Sequence, residues 1–434
     1  MADETNRKRP GVELGRREWL EKSGAAVLGL ALPSGVAGCG SCIEANRAWN
    51  NAVNIDGIDP DHLVMPKSLP ELVELVRRAE SERAGLRMTG SGHSFSDVAM
   101  SQDYLLSPRG LAGAPPLDRT QLRPEHRGDR SLVRVESGMR LRELNPWLFA
   151  QGLALQNMGG YDAQTVVGAA ITGTHGSSLS YGPIASQIKS MQVVTVGGAV
   201  MQAEPANGIT DPARFPGYID TPEGRVAATL SQDDELFNAL SVSLGCMGVV
   251  YSVVLEVEPR FWLREVRELV TWGDLKKPGG FLDRLLSRQR LAPDQEQEPT
   301  YYEIYFNPYP PKAGQPTTSH ACILTKRYKL LDEPAGLTPD EKKRGEIGDR
   351  FQEIAAKLTN QGALLADYMN AFPELVPNIL RDILKSVEDD GGYVARSYDV
   401  FNLGPGNTVR AYGIEMGLDL GQTVAATERV FSTA

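Results

Sequence analysis

The chain has 434 residues, 41% of them hydrophobic, with a formal net charge of −10 and a pI near 5.2. That length carries two globular domains with real cores, and the acidic balance with interspersed Lys and Arg excludes a nucleic-acid partner, which needs clustered cations. No solenoid period or long low-complexity tract is present, and the five histidines are scattered without metal-ligand spacing.

At the N-terminus, Arg16 and Arg17 stand ahead of Trp19 and Leu20, and an uncharged apolar stretch from Ser23 to Gly38 stops at Cys39. This layout resembles a twin-arginine export signal, and Ala37-Gly38 before Cys39 resembles a lipobox with a lipid anchor on the cysteine. The apolar stretch, about 16 residues, falls short of the roughly 20 that span a bilayer. Residues 1–42 are therefore expected to be a signal on a protein that is exported as a folded unit, periplasmic or membrane-anchored. Cys39 and Cys42 form a C-x-x-C outside any strand-turn-helix context, which argues against a thioredoxin-like role. Cys246 and Cys322 lie in apolar surroundings and read as small core residues.

From residue 60 the local structure is legible. Ser68 as N-cap, Pro70 in the first turn and Leu72, Val73, Val76 and Ala79 on one face predict a helix ending near Gly85. "LRMTG" predicts a short strand that delivers the loop "GSGHSFSD". The order helix, strand, glycine loop is not the dinucleotide-binding order of strand, glycine turn, helix, and no Gly-Lys-Ser/Thr follows to make a P-loop. Next, "SLVRVESGMRLRELNPWLFAQGLAL" predicts a strand, a turn at Gly138 and a helix. "QIKSMQVVTVGGAVMQAEP" predicts a hairpin across Gly197-Gly198. "DDELFNALSVSLGCMGVVYSVVLEVEP" predicts a helix, a glycine loop and an alternating strand through Val249, Val253, Leu255 and Val257.

Between these lies "NMGGYDAQTVVGAAITGTHGSSLSYG", where glycines recur with Thr165, Thr172, Thr174, Ser177 and Ser178. Small residues leave backbone N–H groups and hydroxyls free to cup a large polar ligand, and successive N–H groups hold phosphate without Lys or Arg. A serine hydrolase is disfavoured, because no G-x-S-x-G elbow exists around Ser94 or Ser177.

"GSGHSFSDVA", "GGYDAQTVVGAAITGTHGSS" and "SLGCMGVVYSVVLEVEP", in this order, resemble the FAD-contacting segments of the vanillyl-alcohol oxidase (PCMH-type) FAD-linked oxidoreductase superfamily, closest to its sugar-lactone (L-gulonolactone) and alditol oxidase branch. The resemblance covers roughly residues 49 to 260. It implies an α+β fold: a two-subdomain FAD-binding domain over 49–259, followed by an α+β cap that carries the substrate site over 260–434. It also implies that His93 is joined covalently to the flavin's benzenoid edge while Thr89, Gly90, Ser91, Gly92, His93 and Ser94 wrap the pyrophosphate. Gly160, Thr165, Gly168, Thr172, Gly173, Thr174 and His175 would line FAD, with Gly248 and Val250 at its adenine end.

Past residue 260, "PTYYEIYFNPYPP" and "SHACILTKRYKL" predict cap strands, "LTPDEKKRGEIGDRFQEIAAKLTN" a polar helix capped by Thr338, and "TVRAYGIEMGLDL" a further strand. Glu303, Tyr305, Arg410 and Glu415 are candidates to face substrate, with Glu303, Arg410 and Glu415 as catalytic choices; each also reads as a solvent-facing or ion-paired strand residue. The family pattern would continue past Glu415 with a Glu-x-Arg pair on a cap strand and a His-Trp-Gly stretch. Neither follows before Ala434, which implies truncation or a different cap. The expectation is an exported FAD enzyme that oxidises an alcohol group of a polyol, sugar, sugar lactone or sterol by hydride transfer, returning electrons to oxygen or another acceptor. The alternative is a flavin-carrying or electron-transfer protein without turnover.

Overall fold

The computed structural model describes residues 48–52, 57–312, 314–335, 373–386, 388–402 and 415–433. The export signal expected around Arg16, Arg17, Cys39 and Cys42, the polar helix expected over 337–360, and Arg410 all lie outside the described residues.

The first half begins with a small parallel sheet, β1 (His62–Val64), β2 (Leu86–Met88) and β3 (Tyr104–Leu106), with β3 in the middle. Helix α1 (Leu69–Ser81) connects β1 to β2, as the sequence predicts. Ser68 caps it by accepting a bond from the Glu71 N–H at 3.3 Å, and it buries Leu69, Leu72, Val73, Leu75 and Ala79.

A six-stranded sheet follows, built from β4 (Leu132–Glu136), β5 (Ile188–Val194), β6 (Val200–Glu204), β7 (Tyr218–Thr221), β8 (Gly224–Gln232) and β9 (Val249–Glu256) in the order β7-β8-β6-β5-β9-β4. The β5–β6 hairpin turns at Gly197 and Gly198, both at positive φ (72° and 68°), where a side chain would be strained. Arg77 and Glu80 of α1 grip the Gly197 peptide, Arg77 Nε donating to its carbonyl at 3.1 Å and its N–H donating to Glu80 at 2.7 Å. Strand β9 departs from its predicted alternation. Every residue from Val249 to Leu255 is buried, because β9 lies between β5 and β4 and both faces of the sheet are covered there. Helices α2 (Leu141–Ala150), α3 (Val166–Ile171) and α4 (Asp234–Ser241) pack Leu144, Leu148, Ala170, Phe237 and Leu240 into the cluster that holds Val135, Met191 and Val253.

The second half is an antiparallel sheet of β10 (Trp262–Thr271), β11 (Tyr301–Phe306), β12 (Ala321–Leu330) and β13 (Asp389–Arg396), in the order β11-β12-β10-β13. One face carries Cys322 and Leu324 against Trp272, Leu282 and Phe431. The other joins the first half, since Leu263, Tyr301, Ala395 and Phe401 belong to the same apolar cluster as Val135 and Val253. The segment Glu415–Asp419 is irregular rather than strand, and leads into helix Thr423–Thr433.

Cys322 is fully buried, and burial pushes its thiol up to about 12. Cys246 is exposed, contrary to the reading from its apolar neighbours. It follows Leu244 and Gly245, both at positive φ (53° and 71°), which turn the loop outward, and the Arg87 guanidinium lies 3.5 Å from its sulfur.

A buried charge network ties the sheet together. Glu265, fully buried, binds Arg327 and takes a second bond from Arg267 at 2.9 Å; Arg327 also reaches Glu303 at 2.6 Å and the Ser177 hydroxyl at 2.8 Å. Burial opposes the charge on Arg327, and Glu265 and Glu303 outweigh it, so the guanidinium is held protonated. Replacing Glu265 with Ala leaves the buried Arg267 without this partner and is expected to destabilise the chain by about 3–5 kcal/mol, read as a lower urea midpoint. A midpoint equal to wild type rules the network out as a structural tie.

Candidate cofactor site

Three loops meet where the two sheets of the first half approach. The first follows β2 directly: the Thr89 N–H donates to the Leu106 carbonyl at 2.8 Å, so the small sheet sets where Gly90 to Ser94 begin. Gly92 is buried at φ +72°, and a Cβ there would stand 2.9 Å from the Trp49 ring. In the second loop Thr165 caps α3, accepting a bond from the Gly168 N–H at 3.2 Å. Gly90 and Gly168 face each other across this hydroxyl. A Cβ on Gly90 would lie 2.8 Å from Thr165 Oγ1 and one on Gly168 2.6 Å from it, and each would stand 3.6 Å from the other's Cα. The third loop ends at Gly248, whose φ of +126° and 2.8 Å clearance to the Val194 carbonyl admit only glycine without a shift.

Gly90, Thr165, Gly168, Gly248 and Val250 line one cleft. Sequence reasoning missed Leu86, Met88, Pro108, Ser137, Val167, Ile171, Gly245 and Val249, which complete its wall. Val167, Ile171, Gly245 and Val249 lie within the segments that carry the resemblance, whereas Leu86, Met88, Pro108 and Ser137 lie outside them and reach the cleft through the fold. The hydroxyls of Thr89, Ser91 and Ser137 are buried and have no protein partner. Buried hydroxyls are nearly always hydrogen-bonded, so three beside one glycine-walled cleft fit a polar ligand with many acceptor oxygens. The pyrophosphate and ribose of FAD meet that description, and the residues present fit the cofactor.

The other residues marked in the sequence fall into place unequally. The Thr172 hydroxyl donates to the Gly168 carbonyl at 2.9 Å and closes α3, a structural task. Gly173 turns at φ +75°, Thr174 lies within 3.5 Å of the Gln164 amide, and Gly160 is half-buried in the same loop. Ser94 presents its carbonyl to Asn51 at 3.2 Å. His93 is half-buried and stacked on Tyr161, with ring centroids 6.4 Å apart and planes 17° off parallel. Burial first, then the charges of Arg140 and Arg142, hold its imidazole below the usual histidine range, which keeps it neutral and nucleophilic near pH 7.

The three catalytic candidates separate. Glu303, on β11, is engaged by Arg327 and by the Tyr305 hydroxyl at 3.2 Å, in register with Thr325 and Arg267 across the sheet. The Thr325 hydroxyl is buried and unpartnered, so this row forms a polar face. Glu415 is exposed and its carboxylate meets His175 Nε2, while His175 Nδ1 faces the Gly176 carbonyl at 2.8 Å. The Gly176 carbonyl raises the His175 pKa most, burial opposes it, and Glu415 adds to the rise. Glu265 and Arg267 of β10 also have Glu-x-Arg spacing, well before Glu415 in sequence. Among the described residues no group of His, Cys, Asp and Glu forms a metal site.

Residues 60–204 match the family profile of an FAD binding domain. The chain is 26% identical over 353 residues to an L-gulono-1,4-lactone dehydrogenase of Mycobacterium tuberculosis, covering 81% of this chain and 66% of that protein. It is 30% identical over 236 residues to a D-arabinono-1,4-lactone oxidase of Saccharomyces cerevisiae, covering 54% of this chain and 38% of that one. It thus spans less than two-thirds of the length of either relative. In fold it resembles the crystal structure of a cholesterol oxidase from B. sterolicum, with a TM-score of 0.53 at 15% identity over 85% of this chain and 63% of that one. The glycine-walled cleft, its unpartnered hydroxyls and these matches lead to one conclusion: residues 60–204 carry an α+β FAD-binding domain.

Proposed function

We propose that the protein is an FAD-linked oxidoreductase acting on a CH–OH group of a small alcohol. The observation that carries this reading is the convergence of three glycine loops on a cleft flanked by the unpartnered hydroxyls of Thr89, Ser91 and Ser137. FAD bound there supplies a two-electron acceptor for the hydride of a carbinol carbon and passes the electrons to oxygen or another acceptor.

The chain's own part is to hold and to orient. Gly90 and Gly168 let the backbone approach the phosphates, and the neutral imidazole of His93 is the proposed point of covalent attachment. Facing the loop of Ser177, the row Arg267, Thr325, Glu303 and Tyr305 offers donors and acceptors to hydroxyl groups of the substrate. That polarity favours a polyol, sugar or sugar lactone over a sterol, in keeping with the relatives named for lactone oxidation. His175, paired with Glu415, takes the hydroxyl proton. Residues 1–42 direct the chain through the twin-arginine route, with Cys39 as a lipid anchor.

Three outcomes test this reading. Acid precipitation of the flavin-loaded wild type should leave yellow flavin in the pellet, and His93→Ala should move all of it to the supernatant; flavin still bound to the pellet of the variant excludes His93 as the attachment point. A base must be unprotonated, and the His175 pKa lies above its ordinary 6.5, so kcat/KM should rise with pH through a midpoint above that value. Glu415→Gln removes one of the groups that raise it and should move the midpoint down, whereas an unmoved midpoint assigns the proton to another group. Exchanging Arg16 and Arg17 for Lys should trap the precursor in the cytoplasm, and unchanged export would overturn the signal assignment.

A further inference from the structure

The attachment histidine is gripped from a segment that lies outside every glycine motif. Residues Trp49 and Asn50 pair with Gly57 and Ile58 in a short antiparallel ladder, and the backbone then runs flat along the loop of His93. The Ala52 N–H donates to the Gly92 carbonyl at 2.7 Å, and Asn51 Nδ2 donates to the Ser94 carbonyl at 3.2 Å. The carbonyls of Gly92 and Ser94, the residues on either side of His93, are therefore held by two consecutive residues, Ala52 and Asn51. Asn51 is only 5% exposed, so its amide is not diverted by solvent. Gly92 makes the approach possible, since a Cβ there would meet the Trp49 ring at 2.9 Å and the Asn51 Cα at 3.4 Å. Tyr161 lies against the imidazole.

We propose that Asn51 is a positioning residue for flavin attachment: by pinning the carbonyl of Ser94, the residue after His93, while Ala52 pins that of Gly92, the residue before it, it restrains the turn of backbone from which the imidazole leaves the loop. This rests on the covalent reading of His93. In the attachment a bond forms between an imidazole nitrogen and a methyl carbon of the flavin. One methyl C–H and the ring N–H are broken. Two protons and two electrons leave in all, the electrons passing through the flavin to dioxygen, which becomes hydrogen peroxide. A nitrogen that must meet one carbon in line loses rate steeply when its approach is loosened. Its chemical reactivity is set separately, by burial and by Arg140 and Arg142.

The test uses the full chain, prepared without flavin and mixed with FAD in air, with samples acid-precipitated over time. Asn51→Ala is expected to slow the appearance of flavin in the pellet at least tenfold, while total FAD bound before precipitation and the Tm stay near wild type. The pH midpoint of attachment should not move, because position and protonation are separate. Asn51→Asp keeps the shape and loses the donor, so it should be slow as well even if the Ala variant folds poorly; Asn51→Gln, which keeps the donor, should recover part of the rate. Attachment at the wild-type rate in the Ala and Asp variants overturns the proposal and leaves His93 as the attachment point. A wild-type chain that releases all its flavin overturns the covalent reading, and the positioning role with it.

Discussion

The contact on which the rest of the site depends is the face-to-face approach of Gly90 and Gly168 across the hydroxyl of Thr165. It brings a loop that ends a small parallel sheet against a helix that packs on the larger one. Any side chain at either position would push the two apart, because Thr165 is already engaged in capping α3. The approach also fixes the depth of the cleft, since Gly248 and Val250 close it from a strand that cannot slide, being buried along its length. The cofactor site is thus a consequence of how two sheets dock, with hydroxyls left unpaired along the seam.

Electrostatics divide the molecule into two regimes. Near His93, cations stand by a half-buried imidazole and disfavour its proton. Near His175, a carbonyl and a carboxylate favour it. One histidine is thereby suited to donate an electron pair and the other to carry a proton. The four-stranded antiparallel sheet adds a third arrangement, in which Glu265, Arg267, Arg327 and Glu303 balance one another in a largely dry interior. Removing water strengthens each of these pairs and raises the cost of leaving one incomplete.

Much of this was legible in the sequence, and the reasons differ by element. Helix α1 has a cap, an early proline and one apolar face, all local signals, and the structure follows them. The β5–β6 hairpin was marked by paired glycines that the turn needs. The glycine loops were visible because close backbone approach leaves few residue types open. What stayed hidden depends on distant partners. The burial of both faces of β9 follows from its neighbours in the sheet, and the exposure of Cys246 from positive φ at Leu244 and Gly245 rather than from local hydropathy. The pairing of His175 with Glu415 joins residues 240 positions apart. Asn51 carries no motif, and only the path of the chain over Gly92 gives it a role.

The apolar cluster shared by Val135, Val253, Leu263, Tyr301, Ala395 and Phe401 has a consequence for how this protein can be altered. The two halves meet near residue 260 in sequence, and besides the clusters that each holds alone they share this one. A chimera that grafts a foreign cap at that point would have to reproduce the packing of Leu263 and Tyr301 as well as the reach of Arg327 to Ser177, or it would open the first half to water. New specificities are more accessible by single replacements on the polar face of the cap strands. There Tyr305, which is exposed, can change with less disturbance of the common interior than the fully buried Thr325 beside it.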